Sequence, residues 1–199
     1  MDPTVIINRL VRLAKLDTTV FDEVRDDANE LIPAIVIAVV SAVLAGLGAF
    51  MFWKVVAAGT PESAFVNQVI LGSIFLAVMY GVAALVVYVV MAQLFKVQVD
   101  LQALVRTMGY AAFPLAFCVL MFIPILWPVF AIVPLALLLV TMIYAVQSAT
   151  GAESNQVVIS CLIGFAVFVL VLGLISATTD FTKAPMGAGL FGIISDFNS

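Results

Sequence analysis

The chain has 199 residues, 65% of them apolar and only 10% charged, with a mean hydropathy of +1.26 and a formal net charge of −4. A soluble domain runs nearer half apolar and a quarter charged, so lipid must be the solvent for much of this surface. Histidine is absent, which removes the commonest general base and metal ligand, and the small net charge argues against nucleic-acid binding.

In chain order, residues 4–16 show helical periodicity. Asn8, Arg12 and Lys15 share one face with Arg9 beside them, and Ile6, Leu10 and Leu13 line another. A basic amphipathic segment of this kind suits the headgroup interface; the alternative is a helix packed on the protein's own end. Asp17, Thr18 and Thr19 follow as helix caps, with Asp22 three residues after Thr19 in a capping-box-like spacing. The next stretch is acidic (Asp22, Glu23, Asp26, Asp27 and Glu30) and is relieved only by Arg25. Like charges four apart weaken a helix. A surface for docking a basic partner through Asp22, Glu23, Asp26 and Asp27 would explain them, but a solvated acidic face is the commoner origin of such runs.

Five apolar stretches come next, at about 31–53, 68–92, 104–123, 129–147 and 156–177. The first follows a charged leader and is too long for a signal-peptide core, so it reads as a retained anchor. At 1.5 Å per residue it reaches roughly 34 Å, enough to cross a hydrocarbon core of about 30 Å. Every Lys, Arg, Asp and Glu maps outside the cores of the five stretches. Pro124 and Pro128 forbid a continuous helix between the third and fourth, which predicts a tight uncharged hairpin, and Pro134 is placed to kink the fourth. A re-entrant element within 104–147 is the alternative to two full spans. The expected organisation is a leader over 1–30, a five-span membrane domain over 31–177 and a tail over 178–199. The fold class is all-α, a polytopic five-helix transmembrane bundle with short amphipathic N-terminal helices.

Lys and Arg bias sets orientation. Arg9, Arg12, Lys15, Arg25, Lys96 and Arg106 fall on one side, against Lys54 and Lys183 on the other. This predicts a cytoplasmic N-terminus and a C-terminus across the membrane. The tail carries Leu190, Phe191, Ile193 and Ile194 among glycines and is too short to span.

Helices in lipid associate by close packing rather than by the hydrophobic effect. Ala34, Ala38, Ala42 and Gly46 form a small-residue stripe on the first span; Ser73, Ala77 and Gly81 do so on the second, and Gly173 and Ala177 on the fifth. Each stripe serves either internal packing or an oligomer face.

The templates for chemistry are missing. Ser-His-Asp and Cys-His arrangements need histidine, and no HExxH, CxxC or phosphate-cradling glycine loop occurs. Cys118 and Cys161 read as buried, reduced packing residues. An enzyme is not expected, nor a metal or cofactor, although bound lipid or pigment is compatible with such a bundle.

The leader segment Leu16-Asp-Thr-Thr-Val-Phe-Asp-Glu-Val24, the element Arg106-Thr-Met-Gly-Tyr-Ala-Ala-Phe-Pro114 and the uncharged hairpin that follows it together resemble the Yip family (Ypt/Rab-interacting proteins), in particular its bacterial branch. The similarity covers about residues 10–178. It implies a non-enzymatic five-span protein acting through partners, and of the motif Gly109, Tyr110 and Pro114 it carries over Gly109 and Tyr110 alone, as packing elements at the mouth of the third span. The Asp-Leu-Tyr-Gly-Pro stretch of many eukaryotic members is missing, which puts Rab-type GTPase binding in doubt. The expected function is a scaffold or adaptor in a bacterial inner membrane, binding the bilayer and other integral membrane proteins as a homo- or hetero-oligomer. An accessory subunit of a respiratory or photosynthetic complex is one version of that reading. The alternative is a transporter or scramblase for a neutral or lipidic substrate.

Overall fold

The computed structural model describes residues 3–55 and 65–178, and the side chains of 176–178 are left aside. The predicted polar loop at 58–63, the tail from 179 and the side chain of Ala177 therefore lie outside the described residues. Within them the chain is all-helical: α1 (Pro3–Ala14), α2 (Val20–Asp26), α3 (Leu31–Val55), α4 (Gly72–Val89), α5 (Leu101–Ala111), α6 (Trp127–Thr150) and α7 (Ser154–Thr178). A π-helical turn extends α4 at each end, over Val66–Leu71 and Val90–Leu94, and a 3-10 helix over Phe113–Phe122 continues α5. Five segments are long and apolar enough to cross a membrane: Ala28–Val55, Val66–Leu94, Leu101–Phe122, Trp127–Thr150 and Ser154–Ile175. Each boundary lies within about three residues of the sequence-based one, and the polar loop expected over 148–155 shrinks to residues 151–153.

The turns show why the chain reverses where it does. At the end of α6, Gly151 takes φ +59 and its N–H donates to the Gln147 carbonyl at 2.9 Å. A left-handed glycine is the usual helix stop, because it has no Cβ to clash. After the second span Lys96 takes φ +56, and the Val97 N–H reaches back to the Met91 carbonyl at 3.1 Å. The Asp100 carboxylate then accepts the Gln102 N–H at 2.8 Å and starts α5.

The third span is the most enclosed of the five. Pro114 brings no N–H to its helix. The Thr141 hydroxyl of α6 stands 2.8 Å from the Ala111 carbonyl, the group three residues before that proline. It also stands 2.9 Å from the Leu137 and Leu138 carbonyls of its own helix, so one hydroxyl serves both elements. From there the chain tightens to i→i+3 bonding over ten residues, far longer than the three or four typical of 3-10 helices. With about 2.0 Å of rise per residue, the thinner helix completes the crossing in fewer residues than an α-helix needs.

Close packing centres on α3. A Cβ built at Gly48 would strike the Cys118 carbonyl of the 3-10 segment, and one at Gly46 would strike the Ser73 hydroxyl and the Gln68 carbonyl. A Cβ at Gly109 would lie 2.5 Å from the Ala34 carbonyl oxygen, and one at Gly164 of α7 would lie 2.9 Å from the Ala83 carbonyl of α4. Ala34 and Ala42 are buried. The α3 stripe thus meets α5 at its start and α4 further along. Gly48 and Gly164 make equally close contacts but belong to none of the stripes read from the sequence.

Gly81 and Gly173 differ: nothing lies within 4 Å of a Cβ built at either. Replacing Gly48 or Gly109 by Ala should therefore destabilise the bundle by about 1–3 kcal/mol, the usual range for overpacking. Gly81→Ala should be near neutral. Thermal unfolding of the three variants in one detergent checks the contrast.

Candidate functional site: an N-terminal polar cap and a lateral groove

Two features stand out from a bundle otherwise filled with apolar side chains. One is a polar cap where the leader folds over the end of the bundle. Val20, Phe21 and Val24 of α2 are fully buried, so this short helix is anchored by its apolar side. Its polar residues are left at the rim to bond.

Glu30 sits at the centre of the cap and is buried. One carboxylate oxygen accepts from the Arg9 guanidinium, and the other accepts from the Tyr110 hydroxyl at 2.6 Å. Arg9 also faces Glu23 at 3.5 Å, and Arg12 bridges Glu23 at 2.7 Å and Asp17 at 2.8 Å. A buried carboxylate is stable only when its oxygens are bonded and its charge is paired, and Glu30 meets both conditions. Arg106, also buried, donates to the Arg25 carbonyl at the C-terminal end of α2, where the helix dipole favours a cation. Arg25 in turn donates to the Ser148 carbonyl at 2.9 Å, and the Ser148 hydroxyl donates to Asp22 at 2.6 Å. The leader is thereby tied to α5 and to the end of α6.

Glu30 and Arg106 lie near the starts of the first and third membrane-crossing segments, and both are buried because the leader folds back over those helix ends. Two details of the leader differ from the sequence expectations. Thr19 makes no side-chain cap. Its hydroxyl donates instead to Asp17 at 2.6 Å, and Asp17 accepts the Thr19 N–H at 3.1 Å. For α1, the Ile6, Leu10 and Leu13 face packs against the protein's own core, so that face follows the alternative reading, while Ile7 and Val11 stay exposed.

The acidic residues singled out for docking are engaged within the cap. Asp22 holds Ser148 and Arg25, Glu23 holds Arg9 and Arg12, Asp26 meets Arg25 at 2.7 and 2.9 Å, and Asp27 caps the turn at Asn29 at 3.0 Å. Tyr110 joins them through Glu30, while Gly109 on the same turn meets Ala34. Sequence reasoning treated Tyr110 as packing alone and missed Glu30 and Arg9 as its partners. The available signal was the position of Glu30, the last of the acidic run and directly before an apolar stretch.

The second feature is a groove of about 410 Å³ between α3, α4 and α5. Ala38, Ala77, Gly81, Ala84 and Gly109 form its small-residue floor, and Ile35, Val39 and Leu85 flank its mouth. The flanking three are exposed side chains on membrane-crossing helices, so the groove opens sideways toward hydrocarbon. Ala77 and Gly81, expected as a packing stripe, thus line open space, while Ser73 one turn earlier packs on Gly46. Tyr80 at the groove wall donates to the Met108 carbonyl at 2.7 Å. Its polar tip is therefore satisfied, and an apolar surface is left to face any occupant. Among the described residues no group of three or more His, Cys, Asp or Glu is placed to hold a metal.

Five hydrophobic crossings capped by a charged N-terminal leader define an integral, all-helical, multi-pass membrane protein. The family model of the Yip1 domain matches residues 17–177, and the chain belongs to that family. No curated protein and no solved structure matches it.

Two outcomes follow from the cap. Tyr110→Phe leaves one oxygen of a buried carboxylate without its donor and should cost about 1.5–3 kcal/mol. Unfolding of this variant, alone and combined with Arg9→Gln, should show non-additive losses. The acids also predict a pH dependence. The Thr19 hydroxyl and Arg12 hold Asp17 below its ordinary value of 3.8, and Arg25 does the same for Asp26. A depressed carboxylate contributes stability above its unfolded pKa and loses it as pH falls through the folded one. Protection of α1 and α2 amides, relative to their intrinsic exchange rates, should therefore fall below pH 3.8 while α3 stays protected.

Proposed function

We propose that this protein is a non-enzymatic scaffold or adaptor that gathers other integral membrane proteins in a bacterial inner membrane, its N-terminus in the cytoplasm. The observation that carries the reading is the lateral groove. Its floor is built of small residues and is almost wholly apolar, and it opens sideways, the direction from which another membrane protein would arrive. A transmembrane helix gains most from a surface that lets backbones approach closely, since lipid tails give it no hydrophobic reason to associate. Ala77 and Gly81, four residues apart, offer that approach, and a Cβ at Gly81 meets nothing within 4 Å. The cap supports the same reading, because its charged groups are committed to holding the leader in place. The positive-inside bias supports the orientation. Membership of a bioenergetic complex is a narrower form of the proposal that rests on the same face.

The groove's opening toward hydrocarbon also suits a lipid chain, which favours lipid handling as the second reading. Gly81→Leu and Ala77→Leu separate the two. A Cβ at Gly81 enters open space, so that variant's melting temperature should hold, whereas Ala77 is partly packed on the core and its variant is read against its own melting temperature. On the scaffold reading, native mass spectrometry from mild detergent should show companion proteins or copies leaving both variants. Lipid movement by the purified chain in proteoliposomes, lost in the variants while assembly is unchanged, would establish the second reading and sink the first.

A further inference from the structure

The outer face of α1 has no partner in the bundle. Ile7 is 61% exposed, Val11 46% and, just past the helix, Leu16 75%. Ile7, Val11 and Lys15 are spaced four apart and form one stripe, opposite the Ile6, Leu10 and Leu13 face that packs inward. We propose that this outer stripe lies in the headgroup–acyl boundary of the leaflet on the N-terminal side, with anionic lipid as its occupant.

Four observations support that occupant. The first is depth. Arg9 reaches Glu30, which directly precedes the first residue of α3, so α1 is held at the level where the first span enters the bilayer. The second is charge. Lys15 follows on the exposed stripe and makes no ion pair among the described residues, whereas Arg9 and Arg12 are paired with Glu23, Glu30 and Asp17. Cations beside apolar side chains on a surface helix match anionic headgroups over acyl chains. The third is the division of labour between cations. Arg9 and Arg12 bond Glu30, Glu23 and Asp17 and fix which face turns outward. Lys15 is left for the headgroups.

The fourth is Leu16 itself. It takes φ +63 at the end of α1, with the Asp17 N–H closing onto the Arg12 carbonyl at 3.0 Å. Glycine is the usual residue there, and a leucine in that conformation is strained. In water this residue would be unfavourable twice, in backbone and in exposed apolar surface. Inserted at a membrane surface, the side chain is buried.

The test uses the full chain in nanodiscs of phosphatidylcholine with and without phosphatidylglycerol. Nitroxide labels go on Ile7→Cys, Val11→Cys and, as a water-facing reference, Asp26→Cys. Cys118 and Cys161 are fully buried and stay unlabelled. In the anionic discs the labels at 7 and 11 should collide more with oxygen than with a water-soluble nickel chelate, and the label at 26 should do the reverse. Replacing Lys15 by Gln should lower the oxygen preference at 7 and 11. Nickel accessibility at 7 and 11 equal to that at 26 would overturn the proposal. So would dipolar broadening between labels, since it would put a second copy on the stripe instead of lipid.

Discussion

Inside hydrocarbon no water is present to satisfy a backbone carbonyl, and no hydrophobic gain drives one apolar helix against another. The third span shows what this constraint demands. Pro114 withholds an N–H, and the neighbouring Ala111 carbonyl finds its donor in Thr141 of α6. The chain then continues as a narrow 3-10 helix against which the backbone of Gly48 can lie. One hydroxyl and one missing side chain therefore let the central segment cross. α3, α4 and α6 are arranged around it, and α7 packs on the outside of α4.

The same constraint explains where charge collects. A carboxylate cannot sit at the edge of the hydrocarbon without partners, and Glu30 has two, Arg9 from the leader and Tyr110 from the third span. This arrangement converts a flexible-looking charged leader into a cap. The apolar anchors Val20, Phe21 and Val24 hold α2 down, Arg25 and Asp22 tie it to Ser148, and Arg106 closes onto its last turn. The acids that looked like a docking surface are the bonding groups of that cap.

With chemistry-bearing side chains engaged in structure, the features left over are shapes and faces. The groove between α3, α4 and α5 is open to lipid, and the outer stripe of α1 is open at the membrane's edge. Both suit the proposed reading of this Yip1-domain chain as a protein that works by contact. On that reading they serve different depths, the groove facing neighbouring helices and the stripe facing the leaflet surface.

The hydropathy of the chain already determined its solvent, its five crossings and the approximate ends of each, because twenty apolar residues have few other stable fates. Pro124 and Pro128 likewise marked the hairpin, and Ala34 fell on a stripe that the packing uses, against the Gly109 that the family resemblance pointed to. What only the tertiary structure decided was which small residues touch and which face open space. Gly46 and Gly81 look alike in sequence, yet one meets Ser73 and the other meets nothing. It also decided that Glu30, Arg9 and Tyr110 converge from segments up to 101 residues apart, and that α1 turns Ile6 inward and Ile7 outward. Periodicity gives the faces of a helix, but the choice between them belongs to the surface it lands on.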